Sequence, residues 1–211
     1  LATQLAKLIS VTPDGEKIMA YCARVSSPDQ EKAEYAQLFK YCLKNSHFSV
    51  FEMANMCVEI NTSRGISPQI LRHWVFSFQE FSQRYSAVTD SSMVLYEARR
   101  QDKKNRQNSI DDLSPEIKQE WRDRLLENWN HAFAHYDWAL KNDIAKEQAR
   151  FFLPLNTATR LYMSGTVRDW IHYINLRTGN GTQKEHSMVA EAIKTIMAEQ
   201  FPTIAQALDW K

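Results

Sequence analysis

Glycine is scarce in this chain: Gly15, Gly65, Gly165, Gly179 and Gly181 are the only five in 211 residues, where average usage of roughly 7% would supply about 15. That shortage excludes a phosphate-binding P-loop and a dinucleotide fingerprint, both of which need closely spaced glycines. The one close pair, Gly179-Asn180-Gly181, runs on into Thr182, Gln183 and Lys184 and lacks the third glycine. Any nucleotide bound here is held without a glycine-rich cradle. Charge of one sign is missing too. Lys and Arg number 26 against 25 Asp and Glu, a formal net charge of +1, so bulk charge points to neither nucleic acid nor a membrane surface. Long hydrophobic runs are absent, and nothing approaches the roughly 18 apolar residues of a membrane span or the pattern of a signal peptide. Cys22, Cys42 and Cys57 are an odd number without C-x-x-C spacing, which leads us to expect a reduced, cytoplasmic protein with buried thiols and no disulfide. None has a sequence neighbour that would lower a thiol pKa.

What is present reads as one domain over residues 1–211, α+β, mostly helical with a small mixed or antiparallel sheet. Ser27-Pro28-Asp29-Gln30 has the form of a capped helix start, predicting a helix to about Lys44. Met56, Val58 and Ile60 alternate with polar or small residues as in a strand. Ser67-Pro68 opens a short helix, and residues 86–113 read as a polar surface loop with a basic cluster from Arg99 to Arg106. Ser114-Pro115-Glu116 starts a long helix to about Asn142, with an apolar stripe of Ile117, Trp121, Leu125, Ala132, Phe133, Tyr136 and Leu140. Trp138 falls off the stripe and suggests a second buried face. A strand over Thr157–Ser164, a helix capped at Thr166 and ending near Arg177, and a last helix from about Gln183 to Phe201, stopped by Pro202, complete the chain.

The densest polar segment is Arg72-His73-Trp74-Val75-Phe76-Ser77-Phe78-Gln79-Glu80-Phe81-Ser82-Gln83-Arg84-Tyr85-Ser86. Charges among large aromatics suit the wall of a pocket, where rings stack on planar ligands and guanidiniums grip phosphate or carbonyl groups. An Arg–Glu network at a subunit interface has the same composition. Arg150, Arg160, Arg168 and Arg177 form a second set. Arg168 stands in the first turn of its helix, where the dipole disfavours a cation, so either an external anion or a neighbouring carboxylate should accompany it.

These residues resemble the flavin-dependent thymidylate synthases. Arg72-His73-Trp74, Ser77, Ser82 and Arg84 are similar to the family's R-H-R-x-x-S-x-x-x-x-S-x-R signature. His47-Phe48-Ser49-Val50-Phe51-Glu52, then Arg150 with Leu153-Pro154-Leu155-Asn156 and Thr159-Arg160, then Asn175-Leu176-Arg177 with Gln183 and Glu185, resemble further family motifs in the same order. The resemblance spans about Met19 to Phe201. It implies a homotetramer with active sites between subunits, FAD as cofactor, NADPH as reductant, and reductive methylation of dUMP to dTMP with methylenetetrahydrofolate as carbon donor. Gln69, Arg72, Glu80, Ser82, Gln83 and Arg84 would line the dUMP site, with Arg150 reaching it from another chain. Arg177 would be the catalytic residue, polarising the uracil ring. Asn55, Arg72, His73, Trp74, Glu80, Thr166, Arg168 and His172 would contact FAD.

Six positions depart from the family pattern, among them Thr182 in place of Ala and Gly181 where relatives carry His. Trp74 replaces the third residue of R-H-R, Met53 stands where many relatives have His, and Thr166 and His172 stand where asparagines are expected. No protein nucleophile is required, and Ser77 is read as a positioning hydroxyl. His131 and His135 lie four apart with Glu127 one turn earlier, but with no third ligand evident we expect no metal. Two other functions remain at this stage: an FAD-binding, NADPH-oxidising flavoprotein with altered pyrimidine nucleotide specificity, and a non-catalytic nucleic-acid-binding protein using the basic loop.

Overall fold

A computed structural model describes residues 5–89 and 92–210. In chain order its elements are β1 (Ala6–Val11), α1 (Gly15–Ala23), α2 (Ala36–Lys44), β2 (Asn55–Ser63), α3 (Ser67–Ile70), β3 (Ser77–Glu80), β4 (Arg100–Gln101), β5 (Ser109–Ile110), α4 (Pro115–Lys141), α5 (Lys146–Ala149), β6 (Ala158–Thr166), α6 (Val167–Arg177), α7 (Lys184–Gln200) and α8 (Pro202–Ala207). Short 3-10 turns occupy Phe48–Glu52 and Arg150–Phe152.

One four-stranded sheet, ordered β1-β2-β6-β3, carries the fold, and each of its pairings is antiparallel. The centre is the β2–β6 ladder, which pairs Asn55 with Thr166 at one end and Ser63 with Ala158 at the other. Strand alternation sorts the side chains. Met56, Val58 and Ile60 of β2 and Leu161 and Met163 of β6 are buried, and they pack with Val167, Trp170, Tyr173 and Ile174 of α6 and Val189, Ile193 and Met197 of α7. A smaller core joins Trp129, Tyr136 and Ala139 of α4 to Val88 and Ala149.

Several expectations need correction. The helix expected from Ser27 begins only at Ala36. Ser27 Oγ accepts from the Asp29 amide at 3.2 Å, and the carbonyls of Lys32 and Glu34 accept from Arg24. A side-chain turn and a guanidinium thus take the groups that a helix would have used. The apolar stripe of α4 is only half used, since Ile117 and Trp121 are 51% and 43% exposed. Trp138 is exposed as well. The loop over 86–113, of which Asp90 and Ser91 lie outside the described residues, contains the β4–β5 hairpin. Pro202 ends α7 as expected but also starts α8. The first amides of α8, from Thr203 and Ile204, donate to Glu16 Oε1 of α1 at 2.8 and 3.0 Å, an N-terminal cap supplied from the far end of the chain. Cys42 is buried, Cys22 and Cys57 are half-buried, and all three are free thiols.

Candidate active site

The predicted residues fall into three groups.

The first joins the loop after α3 to the end of α6. Arg177 closes α6, and its Nε donates to His73 Nε2 at 2.9 Å. His73 is buried, with its ring edge-on to Tyr173 at 4.8 Å, and the Tyr173 hydroxyl is hydrogen-bonded to buried His186 at 3.0 Å. Burial, with the charge of Arg177 and the neighbouring His172, lowers the His73 pKa to about 4. Burial, with Arg177 and His73, lowers that of His186 to about 3. Burial also raises the Tyr173 phenol well above its ordinary value. The chain thus keeps two neutral imidazoles behind one guanidinium, and the acceptor role of His73 Nε2 leaves its proton on Nδ1. His73, expected as a flavin contact, serves here as the seat of Arg177. The terminal nitrogens of Arg177 have no partner among the described residues.

The second group lies where β3 meets β6. Glu80 Oε1 accepts from Ser67 Oγ at 2.6 Å and Thr159 Oγ1 at 2.9 Å, and pairs with Arg64 at 2.6 Å. This expected ligand residue therefore ties α3, β3 and β6 together from within the chain. Arg64, which sequence reasoning missed, also lines a cavity of about 320 Å³ with Gln83, Arg150, Phe151, Leu155 and Thr157. Gln83 and Arg150 line this cavity together within one chain. Gln83 is buried, and its Nε2 has no hydrogen-bond partner. Arg84 beside it is exposed and pairs with Glu147 at 3.0 Å. Ser82 is exposed.

The third group follows α6. Its N-cap Thr166 and Asp169 form a capping box. Asn55 pairs with Thr166 across the β2–β6 ladder and is exposed, as are Arg168 and His172 one turn apart. Arg168 is ion-paired with Glu52, so the neighbouring carboxylate accounts for this cation. Gln69 donates to Gln183 at 2.7 Å. Arg72 is exposed without a described partner, and Trp74 is 87% exposed.

The donor set fits a phosphorylated, planar ligand. Arg72, Arg160 and the terminal nitrogens of Arg177 are cations free of carboxylates among the described residues. The orphaned Gln83 amide lacks an acceptor, an omission that costs about 1–3 kcal/mol when nothing supplies one. The cavity is at the lower end of the roughly 300–1,000 Å³ of ligand pockets, a size for part of a nucleotide rather than a dinucleotide. Arg99 was also unexpected. Expected in a solvated loop, it is largely covered and pairs with buried Glu185, the side chains being 11% and 6% exposed. Nothing in its local sequence separates it from Arg100, which pairs with Asp112 at the surface. Burial raises the pKa values of Cys42 and Cys57, the wrong direction for a thiolate nucleophile. Among the described residues no three His, Cys, Asp or Glu side chains are grouped to hold a metal ion. His135 packs against Phe152.

The chain is 52% identical over 200 residues to the flavin-dependent thymidylate synthase of Synechocystis sp., covering 95% of this chain and 91% of the relative. It is 49% identical to the probable flavin-dependent thymidylate synthase of Paramecium bursaria Chlorella virus 1, covering 97% and 99%. Among solved structures it superposes with a TM-score of 0.86 and 26% identity on a UMP/dUMP methylase, PolB from Streptomyces cacaoi, bound with 5-Br dUMP, covering 97% of this chain and 94% of that one. The family described as "Thymidylate synthase complementing protein" matches residues 7–203. On these grounds the chain belongs to the flavin-dependent thymidylate synthase family.

Proposed function

We infer that this protein converts dUMP to dTMP by reductive methylation, with methylenetetrahydrofolate as carbon donor and FAD reduced by NADPH. The observation that carries the reading is the seating of Arg177 on neutral His73. A guanidinium held by its Nε presents two terminal nitrogens in a fixed plane. Against the edge of a uracil ring this cation stabilises the negative charge that grows as N3 loses its proton, which raises electron density at C5. Because His73 is neutral near pH 7, it orients the cation without opposing it.

Other residues bind and position. Arg72, Ser82, Gln83, Arg84 and Arg150 supply donors for the nucleotide phosphate and sugar, and Gln69 lies at the same face. Asn55, Arg72, Trp74, Thr166, Arg168 and His172 would hold FAD, which supplies hydride chemistry when bound. For that, Arg168 must share its charge between Glu52 and the cofactor. The exposed indole of Trp74 offers a stacking surface where the family motif has a cation.

We propose that residues 1–211 act as one unit in a cytoplasmic homotetramer whose sites are completed between subunits. Phe151 and Leu155 line the cavity yet are 77% and 74% exposed, and Tyr85 is 84% exposed. Such a patch around a shallow cavity suits coverage by another chain.

The test is formation of dTMP from dUMP with FAD, NADPH and methylenetetrahydrofolate. Arg177→Ala is expected to lower kcat by about 10²–10³, the range for removing a preorganised charge-stabilising donor, while the protein melts normally. Full activity in that variant would remove Arg177 from the mechanism.

A further inference from the structure

A line of four side chains runs from the Arg99–Glu185 ion pair, which ties the 86–113 segment to α7, to the proposed nucleotide face. Arg99 clamps Glu185 through both terminal nitrogens, at 2.6 and 2.9 Å, and its Nε donates to Ser109 Oγ at 2.8 Å. Glu185 Oε2 accepts from Gln183 Nε2 at 2.9 Å. Gln183 Oε1 accepts from Gln69 Nε2 at 2.7 Å.

The order of donors and acceptors along this line is forced. Arginine has only donors, so Glu185 must face it as a carboxylate. Its pKa lies below the ordinary carboxylate value despite burial, owing to Arg99, its own backbone amide and Gln183. A carboxylate has only acceptors, so Gln183 must turn its NH2 toward it. The carbonyl of Gln183 then faces Gln69, which must answer with its NH2. The end of the amide turned away from Gln183 is the carbonyl oxygen of Gln69, which has no partner among the described residues, while its NH2 keeps one further hydrogen on the side of Gln183. A primary amide with free rotation offers either end almost equally; here a largely covered ion pair three residues away removes the choice.

We propose that Arg99, Glu185 and Gln183 are positioning residues that fix the amide of Gln69 with its oxygen toward the substrate, so that Gln69 selects a hydrogen-bond donor on the nucleotide. This rests on the reading that dUMP lies at Gln69. The neutral donors of dUMP are the imide N3–H and the 3′-hydroxyl, and either satisfies an outward carbonyl.

The test measures binding by calorimetry on the full chain, with dUMP, N3-methyl-dUMP and 2′,3′-dideoxyuridine monophosphate as probes. The native protein is expected to bind one analogue about tenfold more weakly than dUMP, the order lost with one good hydrogen bond, and the analogue that suffers identifies the donor. In Glu185→Gln the fixed polarity is lost, and this discrimination should shrink toward unity. In Glu185→Gln with Gln183→Glu, the carboxylate at 183 accepts from both neighbours, so the carbonyl of Gln69 again faces outward and discrimination returns. Gln69→Leu, which leaves the ion pair intact, should bind dUMP no better than the weaker analogue. Equal affinity for all three probes in the native protein, or unchanged discrimination in a folded Glu185→Gln, overturns the relay alone. Native protein that binds no dUMP overturns the functional reading, and the relay with it.

Discussion

Arg177 would be an ordinary helix-terminal cation, favoured there by the dipole of α6, were it not for the buried ring beneath it. His73 and His186 are neutral because charging either would place a second cation in a desolvated site beside Arg177. The consequence for stability has a definite sign. Both histidines bind protons more readily unfolded, near 6.5, than folded, at about 4 and about 3. Their contribution is complete above about pH 6.5 and is lost as the pH falls toward those folded values. The slope approaches about 1.4 kcal/mol per pH unit for each. Urea unfolding at a series of pH values should show midpoints falling from about pH 6.5 downward, and His73→Gln should flatten that fall. An equally steep acid limb in the variant would remove His73 as a source. Arg168 carries a different lesson at this scale. The sequence marks it as a cation in need of an anion, and only the fold shows that Glu52 is one such partner.

At the scale of elements, local signals served wherever the local backbone decides the outcome. Ser114 caps α4, accepting from the Ile117 amide at 3.4 Å. Thr166 caps α6 in a reciprocal box with Asp169, and β2 follows the alternation of Met56, Val58 and Ile60. Thr166→Ala should therefore cost about 1 kcal/mol of unfolding free energy in urea; a loss within error would mean that Asp169 caps alone. The same kind of signal failed at Ser27 because Arg24, from the preceding helix, reached the carbonyls first. Glycine acquires meaning here as well. A Cβ on Gly165 of β6 would stand 2.5 Å from the ring of Phe76, so Gly165→Ala should lower stability by about 1–3 kcal/mol through overpacking. A variant as stable as the native protein would show that the ring can move aside. Because Phe76 lies three residues beyond His73 and its ring is 4.7 Å from that of Trp170, the displacement should also disturb the seat of Arg177.

For the whole molecule, the antiparallel order β1-β2-β6-β3 brings together segments far apart in the chain. It sets Asn55 beside Thr166, Glu80 beside Thr159, and the 86–113 segment against the start of α7 through Arg99 and Glu185. The exposed rings of Tyr85 and Phe151 belong to this scale too. Phe151→Glu should shift the protein toward smaller species in sedimentation equilibrium and weaken dUMP binding with it. An unchanged assembly state would take that face out of the subunit contact.

By itself the sequence determined the family, the absence of a glycine-rich phosphate cradle, and the caps and alternation that start α4, α6 and β2. All of these depend on residue type and short spacing, which the chain carries whatever its fold. Only the tertiary structure decided which cations are free and which are paired. Arg99 and Arg100 are adjacent, yet one is largely covered on Glu185 and the other lies at the surface on Asp112. Arg64 carries no mark of its tie to Glu80, and Glu16 none of its cap on α8. Electrostatic and hydrogen-bond partners are chosen by distance in space, over separations of up to 188 residues along the chain, and no local pattern encodes that distance.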